Sequence, residues 1–275
     1  MPDATADLEL RLLLEAIKER YHYDFRGYSL ASLKRRLTQA RERFDCRSFS
    51  ALQDRVLHDP AVLQDLLAFL TVQVSEFFRD PAYFRAVREL VVPHLRTYPS
   101  LKVWVAGCSA GEELYSLAIL FREEGLEERT LFYGTDINPQ ALRQAEAAVY
   151  PLDRVAAYSE NFRRAGGKSS LSDYYTAAYG GAVFDKTLRR RAVFSDHSLV
   201  TDAVFAEVQL VSCRNVLIYF DRDFQDRAVG LFKDALVRNG FLGLGAKESL
   251  RFNAHAGAFT EFARAERIYQ KRGGA

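Results

Sequence analysis

Two glutamates, Glu112 and Glu113, open a helix directly after an apolar run and a small-residue loop in KVWVAGCSAGEELYS (102–116). Glycines such as Gly107 and Gly111 let the backbone turn sharply and approach a ligand closely, and open α/β sheets bind ligands at the carboxyl ends of their strands. Carboxylates in the first helical turn repel a pyrophosphate, which argues against a dinucleotide. They suit a ligand with cationic groups. S-Adenosylmethionine carries an ammonium and a sulfonium and no phosphate, so it fits that charge logic. Small residues between a strand and a helix also occur without any ligand.

A second feature lies in LFYGTDINPQALRQAEAAVY (131–150), an apolar strand ending in Asp136 with a helix behind it. An acid at the tip of the next strand, roughly 20 residues beyond the glycine loop, is placed to bond both ribose hydroxyls. The alternative for Asp136 is a helix cap ahead of Asn138-Pro139. A third constellation is SCRNVLIYF (212–220), where a strand ends at Arg214 and Asn215, two side chains that cannot easily be buried unpaired. An apolar run containing Tyr219 leads from there into the next helix. This sheet edge is where adenine and the transferred group should lie; a satisfied buried Asn beside a packed Tyr is the plainer reading.

Elements must hold these residues in place. The 275 residues allow one large or two medium domains, and hydrophobic (48%) and charged (27%) fractions are ordinary for a globular chain. A net charge of +2 demands neither nucleic acid nor membrane. Cys46, Cys108 and Cys213 have no metal-ligand spacing and read as reduced core thiols. The start, with Asp3, Asp7 and Glu9, lacks the pattern of a signal peptide, and no run approaches the ~18 apolar residues of a membrane span. A cytoplasmic location is expected.

The first third is helical: Leu10, Leu13, Leu14, Ile17 and Tyr21 repeat at helical spacing, as do Leu33, Leu37, Ala40 and Phe44, then Val62, Leu63, Leu66, Leu67 and Leu70. An all-α domain over 1–92 is predicted, with the two-proline segment 92–100 as boundary. From 101 to 275 the pattern becomes strand-helix alternation, with strands at 102–106, 131–135, 192–195, 208–213 and 241–245, which argues for a mostly parallel α/β sheet. A helix after the fourth strand starts at Asp221, buries Phe224, Ala228, Leu231, Phe232 and Ala235, and stops at Asn239-Gly240. Residues 259–270 read as a last pair of elements. YYTAAYGGAVF reads as a hairpin within a small antiparallel insertion at about 159–191, and such insertions often select a partner.

RNVLIYF, AGCSAGEELYS, FYGTDI and TVQVSEFFRDP (71–81) together resemble the CheR family, the chemotaxis receptor glutamate methyltransferases, over about 21–270. The resemblance implies a Rossmann-like S-adenosylmethionine-dependent methyltransferase domain behind a helical N-terminal domain. It implies transfer of methyl groups to glutamates on the cytoplasmic helices of chemoreceptors, with S-adenosylhomocysteine as product. By motif, Arg79 and Tyr219 would flank the transferred methyl. Gln73, Ser75, Arg79, Gly107, Glu113, Asp136, Ser198, Leu199, Asn215 and Val216 would line the cofactor, with Glu113 at its methionine part. Gln73, Ser75 and Ser198 depart from the commonest family pattern of Asn, Thr and Asn, and Leu114 stands where a proline is usual. Gln73 must re-aim its amide and Ser198 loses an amide donor pair.

Few catalytic groups are needed. A sulfonium is an activated methyl donor and a glutamate, with a reference pKa of about 4.3, is already ionised at neutral pH. The protein must align the reactants and strip water from the carboxylate without protonating it, and Arg79 suits a bidentate grip on it. On the helix containing Leu33 and Leu37, Lys34 and Arg41 flank one side of the apolar stripe and Arg36 and Arg43 the other, a basic surface for acidic receptor helices or simply a solvated face; Arg189, Arg190 and Arg191 form a weaker cluster. Two rivals stand: a non-enzymatic S-adenosylmethionine-binding regulatory module, and a methyltransferase for nucleic acid or a small molecule. The first conflicts with intact Arg79, Glu113, Asp136, Asn215 and Tyr219. Against nucleic acid stand the near-neutral charge and the lack of an aromatic-basic stacking surface. A monomer is expected.

Overall fold

The computed structural model describes residues 4–178 and 180–273. Four helices open the chain: α1 (Ala4–Tyr21), α2 (Leu30–Arg43), α3 (Phe49–His58) and α4 (Pro60–Leu70). Their apolar stripes meet in one core that includes Leu13, Ile17, Leu33, Leu37, Leu63 and Leu66. Helix α3 was not marked by the sequence stripes; Ser48 caps it by accepting a bond from the Ala51 amide (3.1 Å), and it buries Phe49, Leu52 and Val56. Asp59 caps α4 in the same way, with Pro60 in the first turn where no amide is needed.

The boundary falls earlier than 92–100. The core of the helical unit ends at Leu70, and Phe77, Phe78, Phe84, Val87, Val91 and Leu95 belong to the core beneath the sheet. Helix α5 (Pro81–Ala86) runs through a π turn (Val87–Val91) into α6 (Val92–Leu95). Pro93 explains both the two-proline signal and the irregular turn, since it cannot donate into the ladder.

The remaining order is β1 (Leu101–Ala106), α7 (Glu112–Glu123), β2 (Thr130–Asp136), α8 (Pro139–Ala147), β3 (Val149–Pro151), α9 (Val155–Arg164), β4 (Tyr175–Ala178), β5 (Gly181–Phe184), β6 (Ala192–Asp196), β7 (Val208–Cys213), α10 (Arg222–Ala235), β8 (Leu236–Leu244), β9 (Phe259–Ala263) and β10 (Ile268–Lys271). Among the described residues a seven-stranded sheet has the order β6-β2-β1-β7-β8-β10-β9. The first five strands are parallel, and β10 runs antiparallel to both its neighbours. Chain order reverses on either side of β1, so a crevice opens at the carboxyl ends of β1 and β7. Strand β1 is covered on both faces: Val103 and Val105 enter one core, Trp104 and Ala106 the other.

Helix α10 is capped by Asp221, whose side chain accepts from the Phe224 amide (3.0 Å), and buries Ala228, Leu231, Phe232 and Ala235. It stops at Ala235, not at Asn239-Gly240. Those two residues fall inside β8, where Asn239 takes a left-handed φ of 61° and the register against β7 shifts; the turn signal serves a bulge, not a helix end. The small sheet also extends beyond the expected insertion. Tyr175 to Ala178 pair antiparallel with β5 as the hairpin reading anticipated, but β3 supplies a third strand and α9 lies between. Tyr179, which ends the first run of the expected hairpin, and Asp3 of the acidic start lie outside the described residues.

Phe77 ties this small sheet to the main body. Its ring stacks on Phe184 (4.3 Å between centroids, 13° between planes) and meets Tyr150 edge-on at 4.9 Å. It is fully buried two residues before Arg79. Phe77→Ala should lower the unfolding free energy by about 3–5 kcal/mol in urea titration, and an unchanged midpoint would mean that the surrounding rings close over the gap.

Candidate functional site

Loops from the carboxyl ends of β1, β2, β6 and β7 surround one cavity, and the segment 70–79 with Tyr28 and Arg36 of the helical unit closes it from above. The walls contain Gln73, Ser75, Arg79, Gly107, Glu113, Asp136, Ser198, Leu199, Asn215, Val216 and Tyr219. Residues as far apart in the chain as Tyr28 and Tyr219 thus share one space.

Strand β1 delivers Gly107 with φ of 71°, its amide bonded to the Thr135 carbonyl (2.8 Å). A Cβ there would lie 2.5 Å from Cγ2 of Val216, so only glycine lets the β1 and β7 loops come this close. Strand β2 delivers Asp136, buried at 9% exposure. Its Oδ2 accepts from the Ser109 amide and its Oδ1 from the Asn138 amide, both at 2.9 Å. Burial pushes its pKa up, opposed by these backbone bonds. The helix-cap alternative does not hold, because Asn138 itself caps α8 through the Gln140 and Ala141 amides. The Ile137 amide adds to the same set, so three of the carboxylate's roughly four acceptor sites are taken and one is left for a ribose hydroxyl.

Only one of the paired glutamates reaches the cavity. Glu113 Oε1 accepts from the Ser212 hydroxyl (2.6 Å) and Oε2 from Arg214 (3.2 Å). Glu112 turns away; it is 6% exposed, is bonded by Ser75, and burial raises its pKa. The expectation that both carboxylates face a cationic ligand is corrected on this point: successive helical residues point about 100° apart, so one helix start presents only one of them.

Arg79 stands at the rim. Its guanidinium donates to the Val74 carbonyl (3.1 Å), and among the described residues it forms no ion pair. The residues on either side, Phe78 and Asp80, both take left-handed φ values of 50° and 56°, where non-glycine residues are strained. The Phe78 amide is held by the Ser116 hydroxyl (2.9 Å). Arg214, whose side chain is 1% exposed, donates to the Arg79 carbonyl and to Asp80 Oδ2, both at 2.8 Å. Its guanidinium also lies 4.2 Å from the centroid of the Tyr83 ring.

Tyr219 is held by its backbone: its amide donates to the Val216 carbonyl (3.1 Å) and its carbonyl accepts from Ser29 of the helical unit (3.0 Å). Arg36 lies over its ring at 5.8 Å and donates to Ser32 Oγ and to the Leu70 carbonyl. The sequence places Arg36 on an outward basic face; in the structure it turns inward to the cavity. Lys34 pairs with Asp7 and Arg41 covers the Phe49 ring, which leaves Arg35 and Arg43 as the exposed cations of α2.

The three departures from the family pattern have local partners: Ser75 bonds the Glu112 carboxylate. Gln73 bridges the Ser109 hydroxyl (2.6 Å) and the Thr71 hydroxyl (3.0 Å) with its amide. Ser198 Oγ accepts from the Val200 and Thr201 amides, which closes the turn after β6 beside buried Leu199. No motif spacing in the sequence links Tyr28 or an inward Arg36 to the strand ends, while Ser109 stands within the small-residue loop but carries no signal that sets it apart from its neighbours. Arg214 was visible as a polar residue that burial would force to find partners.

Residues 73–265 match the family described as CheR methyltransferase, SAM binding domain, and residues 8–71 its all-alpha domain. A Pseudomonas putida protein named Cher3, described as a methyltransferase only by inference, is 56% identical over 269 residues, which cover 98% of each chain. A chemotaxis protein methyltransferase of Listeria innocua is 28% identical over 89% of this chain and 91% of its own, and chemotaxis protein methyltransferase 2 of Pseudomonas aeruginosa is 27% identical over 88% of each. The chain belongs to the CheR methyltransferase family, and its cofactor is S-adenosylmethionine.

Proposed function

We propose that the chain methylates glutamate side chains on the cytoplasmic helices of chemoreceptors, forming a carboxyl methyl ester. One observation carries the reading. Arg79, a cation with no acidic partner among the described residues, stands at the open rim of a cavity whose inner wall holds Glu113 and Asp136. A planar guanidinium is matched to a carboxylate in a bidentate arrangement. The two relatives named as chemotaxis protein methyltransferases agree with a protein substrate in chemotaxis.

The cofactor supplies a methyl group already activated by its sulfonium. Everything else falls to the chain. Asp136 holds a ribose hydroxyl, Leu199 and Val216 provide apolar walls for the base, and Glu113 balances the ammonium while Arg214 keeps it from presenting a full unpaired charge. Arg79 orients the incoming carboxylate and lowers the cost of removing its water. Tyr219, oriented from both domains, donates a hydrogen bond or shapes the approach of the methyl. No general base is required, because the acceptor is ionised at neutral pH.

The test is incubation of the purified chain with a cytoplasmic receptor fragment and methyl-labelled S-adenosylmethionine. Label that is released by mild base identifies a carboxyl ester; cofactor binding without any transfer would favour the regulatory-module reading. Asp136→Ala should weaken S-adenosylhomocysteine by about tenfold to a hundredfold in calorimetry, the scale of a lost hydrogen bond to a charged group, and unchanged affinity would remove the ribose role. Arg79→Ala should reduce transfer by about a hundredfold or more, the scale of a lost electrostatic clamp, with a native circular dichroism spectrum; undiminished turnover would take Arg79 out of the mechanism. Arg35→Glu combined with Arg43→Glu should raise KM for the receptor fragment and leave calorimetric affinity for S-adenosylhomocysteine unchanged, and an equal KM would mean that α2 presents only a solvated face.

A further inference from the structure

A second buried carboxylate stands behind the cavity wall. Glu248 follows β8 at the same sheet edge and is 4% exposed. Its Oε2 accepts from the amides of Gly245 (2.6 Å) and Asn215 (2.9 Å), and its Oε1 from the amide of Ile218 (3.3 Å). The Leu217 amide adds to the same set. Glu248 forms no ion pair among the described residues, so a buried carboxylate is satisfied by backbone dipoles alone. Such an arrangement is costly unless the donors are aligned on it.

Three of those donors come from one loop, the one that carries Asn215, Val216 and Tyr219 into the cavity. Asn215 takes a left-handed φ of 61° there, which the loop must be held in. The packing leaves no slack: a Cβ on Gly245 would lie 2.7 Å from Glu248 Oε2 and 2.8 Å from the Asn215 amide nitrogen. From the other side the loop is tied to the helical unit by Ser29, by the Tyr28–Phe220 bridge and by the Asp221 amide on the Gly27 carbonyl, and Gln225 of α10 donates to its Leu217 and Phe220 carbonyls.

We infer that Glu248 is a positioning residue for methyl transfer, one whose carboxylate gathers the amides of residues 215–218 and so sets where Asn215 and Tyr219 face the cavity. Glu248 lines no part of the cavity itself. It acts through the loop. Its effect on cofactor affinity rests on the cavity alone, and its effect on turnover rests on the function proposed above.

Glu248→Gln decides it. Glutamine keeps the shape but turns one acceptor oxygen into an NH2 donor facing amide donors. The expected result is a loss of about tenfold in S-adenosylhomocysteine affinity and about a hundredfold in kcat, the scale of a displacement near 1 Å at a reacting centre, with KM for the receptor fragment within about twofold of wild type. The loss combined with Tyr219→Phe should fall well short of additive. Wild-type affinity and kcat, additive losses, or a kcat loss that merely follows the unfolded fraction seen by circular dichroism would each overturn the inference. If Glu248→Gln does not fold, Glu248→Asp, which keeps the charge on a shorter stem, takes its place with the same outcomes. A wild-type chain that binds S-adenosylhomocysteine but labels no receptor fails the functional reading, and the affinity measurement still decides this one.

Discussion

A guanidinium with 1% of its side chain exposed cannot remain without partners, and the burial of Arg214 organises the site around it. Removing one partner of a buried ion pair typically costs about 3–5 kcal/mol, so Asp80, Glu113 and the Arg79 carbonyl are required to converge on it. Two of those contacts come from the segment before α5 and one from the start of α7, and they meet at the end of β7, where Arg214 stands. One charge therefore fixes the relation between the rim arginine and the inner glutamate. The Tyr83 ring beneath it covers the face that no hydrogen bond can satisfy.

Of the nine non-glycine residues in the left-handed region among the described residues, four stand at or beside the site: Ser109 and Asn215 line the cavity, and Phe78 and Asp80 flank Arg79. Each is held by a specific bond: the Ser116 hydroxyl for Phe78, Arg214 for Asp80, Asp136 for Ser109 and Glu248 for Asn215. Loops placed by buried polar groups in this way meet a ligand in a single arrangement, which is what alignment of a methyl donor and acceptor demands.

The helical unit acts as a wall of the site as well as a neighbour. Tyr28 packs edge-on against Phe220 at 4.9 Å, Gly27 accepts from the Asp221 amide at 2.6 Å, and Arg36 reaches over Tyr219. The loop after β7 is thus held from three directions: Glu248 behind it, Val216 against Gly107 beside it, and α2 with the segment before it above.

Much of this was legible in the chain. Alternation of apolar runs and helical stripes predicted the parallel sheet and the bundle, because burial on one face of an element imposes a period that a sequence displays directly. Gly107, Glu113 and Asp136 could be picked out because loop, helix start and strand tip sit at fixed positions along a β-α-β unit. Tertiary packing decided the rest: that the domain boundary falls near residue 71 because the rings of Phe77 and Phe78 are needed beneath the sheet, that Asn239-Gly240 kinks a strand, that Glu112 turns away while Arg36 turns in, and that Glu248 answers the amides of a loop thirty-odd residues behind it in the chain. Periodicity reports which face of an element is buried, while the partner of a buried polar group is chosen by distance in space, which sequence separation does not encode.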